Sequence, residues 1–236
     1  MKSTIFPRIF HTLFLSAFCV IASAATTSHK SHENIKRQYD GIDVSHHQGK
    51  IDWKEVAKDK QIKFVYIKAT QGTSIKDKNY EQNIIGARRQ GLRCGSYHYL
   101  SCLTSVRSQF RNFQKAMRGH KQDLIPMIDI EHEGVKRWTK KQVQDSVALF
   151  AKLIERKYGK KPLIYSHVNF YNSHLTPRYN KYFLFLSRYS SERPSIKGVG
   201  RHNIWQFTDR GRVRGIHGNV DLDRFMSGTS LSSIRL

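Results

Sequence analysis

Acid is what this chain has least of: 18 Asp and Glu stand against 41 Lys and Arg in 236 residues, a formal net charge of +23. Cysteine is scarcer still, at three, which excludes a disulfide-dense scaffold. Beyond residue 25 there is no apolar run long enough to span a bilayer, so a multi-span membrane protein is excluded. Despite the charge, zinc-finger spacing, an RNP-like aromatic motif and a basic zipper are all missing, so nucleic acid is not the expected partner. The basic residues are spread along the chain in pairs such as Arg88-Arg89, Lys140-Lys141 and Lys160-Lys161. What the chain does have is 39% hydrophobic and 11% aromatic residues, enough for one sizeable core.

The amino end does not belong to that core. Met1-Lys2 and Arg8 precede IFHTLFLSAFCVIASAA (9–25), which ends in the small-residue pattern Ala22-Ser23-Ala24. This reads as a signal peptide over 1–24, and hence as export to the periplasm or the exterior. A retained anchor is the competing reading, but the stretch is short for a span and is interrupted by His11. Residues 25–38 are polar and aperiodic and read as a linker. For an exported basic protein the polyanions at hand are cell-wall polymers and lipid head groups; a solvated basic surface without a specific partner is the plain alternative. Cys19 leaves with the signal. Cys94 and Cys102 bracket an apparent strand, GSYHYLS, and eight strand residues separate their ends by about 26 Å. A disulfide needs Cα atoms within roughly 7 Å, so both are expected to be free thiols.

From Tyr39 short apolar runs alternate with amphipathic ones. Strands are expected at 39–45, 63–70, 94–100, 124–131, 162–166, 182–189, 203–208 and 219–225, and helices at 53–59, 79–90, 103–118, 139–158 and 168–174. In the 139–158 segment Val143, Val147, Phe150, Ile154 and Tyr158 recur at helical spacing behind the potential cap Thr139. This alternation predicts an α/β fold with a parallel sheet, and eight strands in one chain suggest closure into a barrel over 39–230. TDRGRVRGIHG (208–218) joins the last two strands and looks like a hairpin. The expected fold is therefore an irregular TIM-like β/α barrel, regular in its first half and partly antiparallel at its end. No internal repeat or second domain is evident, and the chain is read as a monomer.

Against this basic background PMIDIEHE (126–133) concentrates Asp129, Glu131 and Glu133 at every second position. Residues two apart in a strand share a face, so Asp129 and Glu131 should point the same way with Cα atoms about 6.6 Å apart. At the carboxyl end of a barrel strand that face looks into the site. Two such carboxylates repel, so one should keep its proton above the usual acid range. A protonated acid beside an ionised carboxylate is what cleavage of a glycosidic bond requires. Asp43 closes the first strand and Asp221 lies in the last. If the sheet closes, these strands are neighbours and bring their carboxylates to the same rim.

The order GIDVSHHQG, FVYIKATQGT, GSYHYL, PMIDIE, PLIYS, NIWQFT, GNVDLD, over roughly 39–226, resembles glycoside hydrolase family 25, the lysozymes of the Chalaropsis type. The resemblance implies a β-1,4-N-acetylmuramidase acting on peptidoglycan, with no cofactor and no metal. It implies Glu131 as general acid, with Asp129, Asp43 and Asp221 shaping and charging the site. Three positions depart from the family's pattern. His47 stands in a motif that usually reads His-Trp-Gln, Gln71 replaces the glutamate of Ala-Thr-Glu-Gly, and Phe185 stands where tryptophan is common. None touches the four carboxylates, so substrate fit is more affected than catalysis.

Tyr97 and Tyr165, near their strand ends, are expected to hydrogen-bond a sugar's N-acetyl group, a role the resemblance supports. Lys68 fits an ion pair with a rim carboxylate. Trp205 could stack on a sugar or simply fill the barrel. His98 follows Tyr97 and so should face away, unless a bulge turns it toward substrate. Two other classes compete. A metal-dependent wall-polysaccharide deacetylase would draw on Asp129, Glu131, His132, His46 and His47, yet His132 alternates off the carboxylate face and His46 and His47 cannot both reach one ion from an extended strand. A non-catalytic wall-binding module would not need an intact acid pair. For a substrate carrying an N-acetyl group, net retention with substrate assistance is expected, because a side chain two residues from the acid has trouble reaching the opposite face of the sugar.

Overall fold

A computed structural model describes residues 38–236. The expected signal peptide (1–24) and all but the last residue of the linker (25–38) lie outside the described residues. The strands are β1 (Gly41–Val44), β2 (Phe64–Gln71), β3 (Ile75–Lys76), β4 (Cys94–Tyr99), β5 (Met127–Asp129), β6 (Leu163–His167), β7 (Phe183–Ser187), β8 (Ile204–Gly211) and β9 (Val220–Phe225). They pair in the order β1-β9-β8-β7-β6-β5-β4-β2, and β1 pairs with β2 to close an eight-stranded barrel. The pairings from β1 through β2, β4, β5, β6 and β7 to β8 are parallel. Only β9 runs against both its neighbours, β8 and β1, as the expected terminal hairpin requires. The two-residue β3 is an arm folded back on β2 and was not anticipated.

Strand alternation divides the core in two. Phe64 and Tyr66 of β2, Tyr97 of β4, Met127 of β5, Leu163 and Tyr165 of β6, Phe185 of β7 and Ile204 of β8 fill the barrel interior. The opposite faces, among them Ile42, Val65, Ile67, Ile128, Ile164, Leu184 and Leu186, meet the helices outside. Those helices are α1 (Trp53–Val56), α2 (Tyr80–Arg89), α3 (Val106–Met117), α4 (His132–Val135), α5 (Lys140–Tyr158) and α6 (Val168–Phe170), the last continuing as a π-helical turn over Tyr171–Leu175. α5 shows why such a segment stays helical. The Thr139 hydroxyl accepts from Gln142 N while Gln142 Oε1 accepts from Thr139 N, and Gly159, at φ 71°, ends the helix. Its stripe Val143, Val147, Phe150 and Ile154 is buried, each side chain contributing about 1.5–3 kcal/mol through removal from water.

The structure departs from the sequence reading in three places that matter for the site. The fourth strand, expected over 124–131, is regular only over Met127–Asp129, because Pro126 has no N–H to give a ladder. Just past it the chain turns into the unforeseen α4 at His132, with Glu131 still extended at φ −122°, ψ 154°. Gly134 permits that turn to dock: a Cβ there would lie 2.3 Å from the Leu100 carbonyl oxygen. Finally, the barrel does not end at 230. A 3-10 turn, Leu231–Ile234, inserts Ile234 into the interior cluster, and Ile125 N donates to its carbonyl at 2.9 Å. Cys94 is buried and Cys102 half-buried, and both are free.

Candidate active site

Three strands, β1, β5 and β9, deliver four carboxylates to one end of the barrel, Glu131 from the turn just past β5. β1 and β9 pair with Asp43 opposite Asp221. On β5, Asp129 lies between Tyr99 of β4 and Tyr165 of β6 in register. The backbone is held on both sides there: Leu100 N donates to Asp129 O at 2.9 Å and Ile130 N to Tyr165 O at 3.0 Å. With Ile128 and Ile130 turned outward into the helix layer, Asp129 and Glu131 must both point in. Asp43, Asp129, Glu131 and Asp221 line one cavity of about 240 Å³. The parallel strands β1, β2, β4, β5 and β6 present their carboxyl ends to it, as barrel sites do.

Gln206 of β8, absent from the sequence expectations, organises the wall of that cavity. The hydroxyls of Tyr165 and Tyr189 both donate to its Oε1, each at 2.8 Å. Two phenol donors fix which end of the amide is oxygen, so Nε2 faces Asp43 and donates to its Oδ2 at 2.6 Å. Asp43 is thereby oriented by a group that is itself held twice. Tyr189 is half exposed, at 48%, and so offers an aromatic edge at the mouth of the cavity. Strand alternation in NIWQFT marks Gln206 as inward once Ile204 is known to be inward. Nothing in the sequence marks Tyr189, which follows the end of β7.

Burial and crowding raise the proton affinity of every carboxyl here. Burial, then the Asp221 charge, pushes Asp43 well above the usual carboxylate range. Burial, then Glu131, does the same to Asp129, against the pull of Lys68. Glu131 rises through burial, again opposed by Lys68. Asp221 is pushed up to about 7 by burial, with Asp209 and Glu131 adding repulsion. Such groups titrate together, so a carboxyl in this cavity holds a proton near neutral pH while its neighbours remain anionic. Tyr97 and Tyr165 are driven well above the ordinary phenol value, mainly by burial, and remain neutral hydrogen-bond donors.

The cation in this cavity comes from β2, where Lys68 continues the inward alternation of Phe64 and Tyr66. A bulge between Lys68 and Thr70 then breaks that alternation, so Thr70 faces out and meets His98. Lys68 Nζ donates to Gln71 Oε1 at 3.0 Å and lies 4.8 Å from the centre of the Tyr99 ring. Because Gln71 is neutral, the ammonium charge is left to act on Asp129 and Glu131.

Two residues weighed as substrate contacts, His98 and Trp205, do not reach the cavity. His98 is fully buried on the outer face of β4, stacked on Phe150, with Nδ1 2.7 Å from Thr70 Oγ1 and Nε2 3.1 Å from Gln109 Oε1. β4 carries no bulge there, so alternation turns His98 away from Tyr97 and the cavity. Trp205 lies on the outer side of β8, between inward Ile204 and Gln206, and donates Nε1–H to the Arg188 carbonyl at 2.9 Å. Of the expected contacts, Tyr97, Tyr165 and Lys68 do line the cavity, as does His47. His46 is turned aside: its backbone N and its Nδ1 both meet Asp77 Oδ2, at 3.0 and 2.7 Å.

With this geometry in place, comparison with known proteins identifies the family. The family model for glycosyl hydrolases family 25 matches residues 42–216. The chain belongs to glycosyl hydrolase family 25. Among its relatives, the Escherichia coli protein YegX is 36% identical over 189 residues, covering 78% of this chain and 68% of that one. The autolytic lysozyme of Clostridium acetobutylicum is 33% identical over 190 residues, covering 80% of this chain and 56% of its own length. A solved family 25 glycosyl hydrolase from Bacillus anthracis superposes with a TM-score of 0.73 at 27% identity, over 81% of this chain and 91% of that one. This protein is thus a glycoside hydrolase on the family's barrel, and the metal-dependent deacetylase is not favoured.

Proposed function

We propose that this family 25 glycoside hydrolase cleaves the β-1,4 bond between N-acetylmuramic acid and N-acetylglucosamine in peptidoglycan, with retention of configuration assisted by the substrate. The observation that carries the reading is the pairing of Glu131 with a buried Asp129 whose Oδ1 has no hydrogen-bond donor among the described residues. A buried carboxylate oxygen left without a partner is costly unless a ligand supplies one. The N–H of a substrate's acetamido group is a donor of the right kind. That relatives are named lysozymes supports the substrate class.

In this mechanism Glu131, kept protonated by its burial, gives its proton to the glycosidic oxygen as the bond to the anomeric carbon breaks. The carbonyl oxygen of the substrate's own acetamido group forms the new bond to that carbon. Asp129 accepts the acetamido N–H and stabilises the positive charge that spreads over the resulting ring. Glu131, now a carboxylate, removes a proton from water, and the water oxygen attacks the anomeric carbon and reopens the ring with net retention. Asp43 and Asp221 add negative potential on the far side of the sugar, acting strongly because burial shields both from bulk water. Tyr165, beside Asp129 in register, closes off the acetamido side, and Tyr97 lies beneath it. The basic surface and the amino-terminal signal complete the reading: an exported, monomeric enzyme concentrated on anionic wall polymers or lipid head groups.

Intact-protein mass spectrometry on a slow substrate separates this route from a covalent one. Asp129→Asn should cut turnover severely, and neither it nor the wild type should accumulate a glycosyl-enzyme. A glycosyl adduct on Asp129 would overturn substrate assistance.

A further inference from the structure

One carboxyl in the barrel takes no part in this mechanism and has no ordinary means of support. Asp223 lies two residues beyond Asp221 on β9, on the same inward face, and is completely buried. Its register partners are Gly41 of β1 and Gln206 of β8, which place it one layer below Asp43 and Asp221 in the barrel. Neither of its oxygens receives an N–H or an O–H from any other described group. Tyr66, a phenol that feels the charge of Asp223, donates its hydroxyl to the Ile125 carbonyl at 2.9 Å. The side-chain amide of Gln206 is committed to Asp43. What Asp223 does meet is the carboxyl group of Asp43, within hydrogen-bond reach. Two carboxylate oxygens both accept, so that contact is attractive only if one of the pair carries a proton.

The two are not equivalent. Asp43 already accepts a hydrogen bond from Gln206 and opens to the cavity, both of which favour its anion. Asp223 has neither, and an anion sealed in that position would be uncompensated. Resting on the reading of Asp43 as part of the active site, we propose that Asp223 is a positioning residue: it holds a proton and donates it to Asp43, keeping Asp43 ionised and aimed at the sugar. Gln206 then grips Asp43 from the side and Asp223 from below. Burial and the charges of Asp43 and Asp221 raise its proton affinity in the same direction. The other titratable groups facing the pair are Glu131 from the turn after β5, Asp129 of β5, Tyr97 of β4, Tyr66 of β2, Tyr165 of β6 and Tyr189 past the end of β7.

Asn at position 223 keeps the shape and a donor, whereas Leu keeps the volume and removes the donor. The test is kcat and KM against pH on a soluble peptidoglycan fragment for Asp223→Asn and Asp223→Leu, beside Glu131→Gln as a control. Asp223→Asn should stay within a few-fold of wild type. Asp223→Leu should lose about ten- to a hundredfold in kcat, the range expected for one hydrogen bond to a charge, with KM little changed. Its acid limb should also move up by about one pH unit, because Asp43 then ionises less readily. Should the leucine variant fail to fold, difference infrared spectroscopy of wild type against Asp223→Asn decides: the carbonyl stretch of one protonated buried acid should vanish. Equal damage in both variants, an unmoved acid limb in the leucine variant, or an infrared difference without that band overturns the proposal. Full activity in Glu131→Gln would instead sink the reading of the site itself.

Discussion

Asp221→Asn should make the protein more stable, by an amount that grows as pH rises from 3.8 to about 7 and then levels off. In the fold the carboxyl of Asp221 is pushed from 3.8 up to about 7 by burial and by the charges of Asp209 and Glu131. A group whose folded pKa lies above its unfolded one favours folding most when protonated, below the unfolded pKa. It loses that contribution as pH rises through the folded pKa. Three pH units at about 1.36 kcal/mol each make the ionised side chain cost up to about 4 kcal/mol above pH 7. That is a ceiling, because Asp43 and Glu131 feel the same repulsion and relax when it is removed. Asparagine cannot ionise, so the variant escapes the cost while filling the same space. Urea unfolding of wild type and variant at pH 4, 6 and 8 reads the difference directly. The two midpoints should nearly coincide at pH 4, and the variant should pull ahead through pH 6 to a maximum at pH 8, while its lytic activity falls. A stability gap that is the same at every pH, or that favours wild type at pH 8, would refute the claim that this acid cluster is held together at the expense of stability.

Glu131→Gln should preserve the fold but lower turnover by about 10²–10⁴-fold, the usual worth of a general acid, with a melting temperature close to wild type. Chelators should leave wild-type activity unchanged in the same assay; loss to EDTA and recovery with zinc would revive a metal-dependent reaction. Salt should separate attachment from chemistry, since the Debye length falls from about 10 Å at 0.1 M to about 3 Å at 1 M. Hydrolysis of whole walls should decline over that range while hydrolysis of a short soluble muropeptide holds, and equal sensitivity on both would mean that the basic surface does not target the enzyme.

Closure of the barrel was legible because the evidence for it is periodic. Each of the eight barrel strands stands out as a short apolar run, and each long helix as an amphipathic stripe, without knowledge of what it packs against. The carboxylates were legible for the same reason: Asp129 and Glu131 share a face by strand geometry alone. What escaped was set by irregularity or by tertiary contact. A two-residue arm such as β3 has no periodicity to detect. The turn at His132 depends on Gly134 fitting under the Leu100 carbonyl, a contact between segments 34 residues apart. The outward aim of Thr70, which brings it to His98, owes to a bulge at Ala69, and no local pattern announces a bulge. His98 and Trp205 were candidates because imidazole and indole often meet sugars, but alternation turns both outward. Gln206 and Asp223 were hidden by their chemistry instead, since a neutral amide and a second aspartate in VDLD draw less notice than the acid pair they support.

Mass spectrometry of the muropeptides released from purified peptidoglycan by the purified protein bears most directly on what this site does. The account predicts fragments ending in reducing N-acetylmuramic acid, released by wild type and not by Glu131→Gln. Fragments ending in reducing N-acetylglucosamine, or glycans that have lost acetyl groups without being cut, would contradict it.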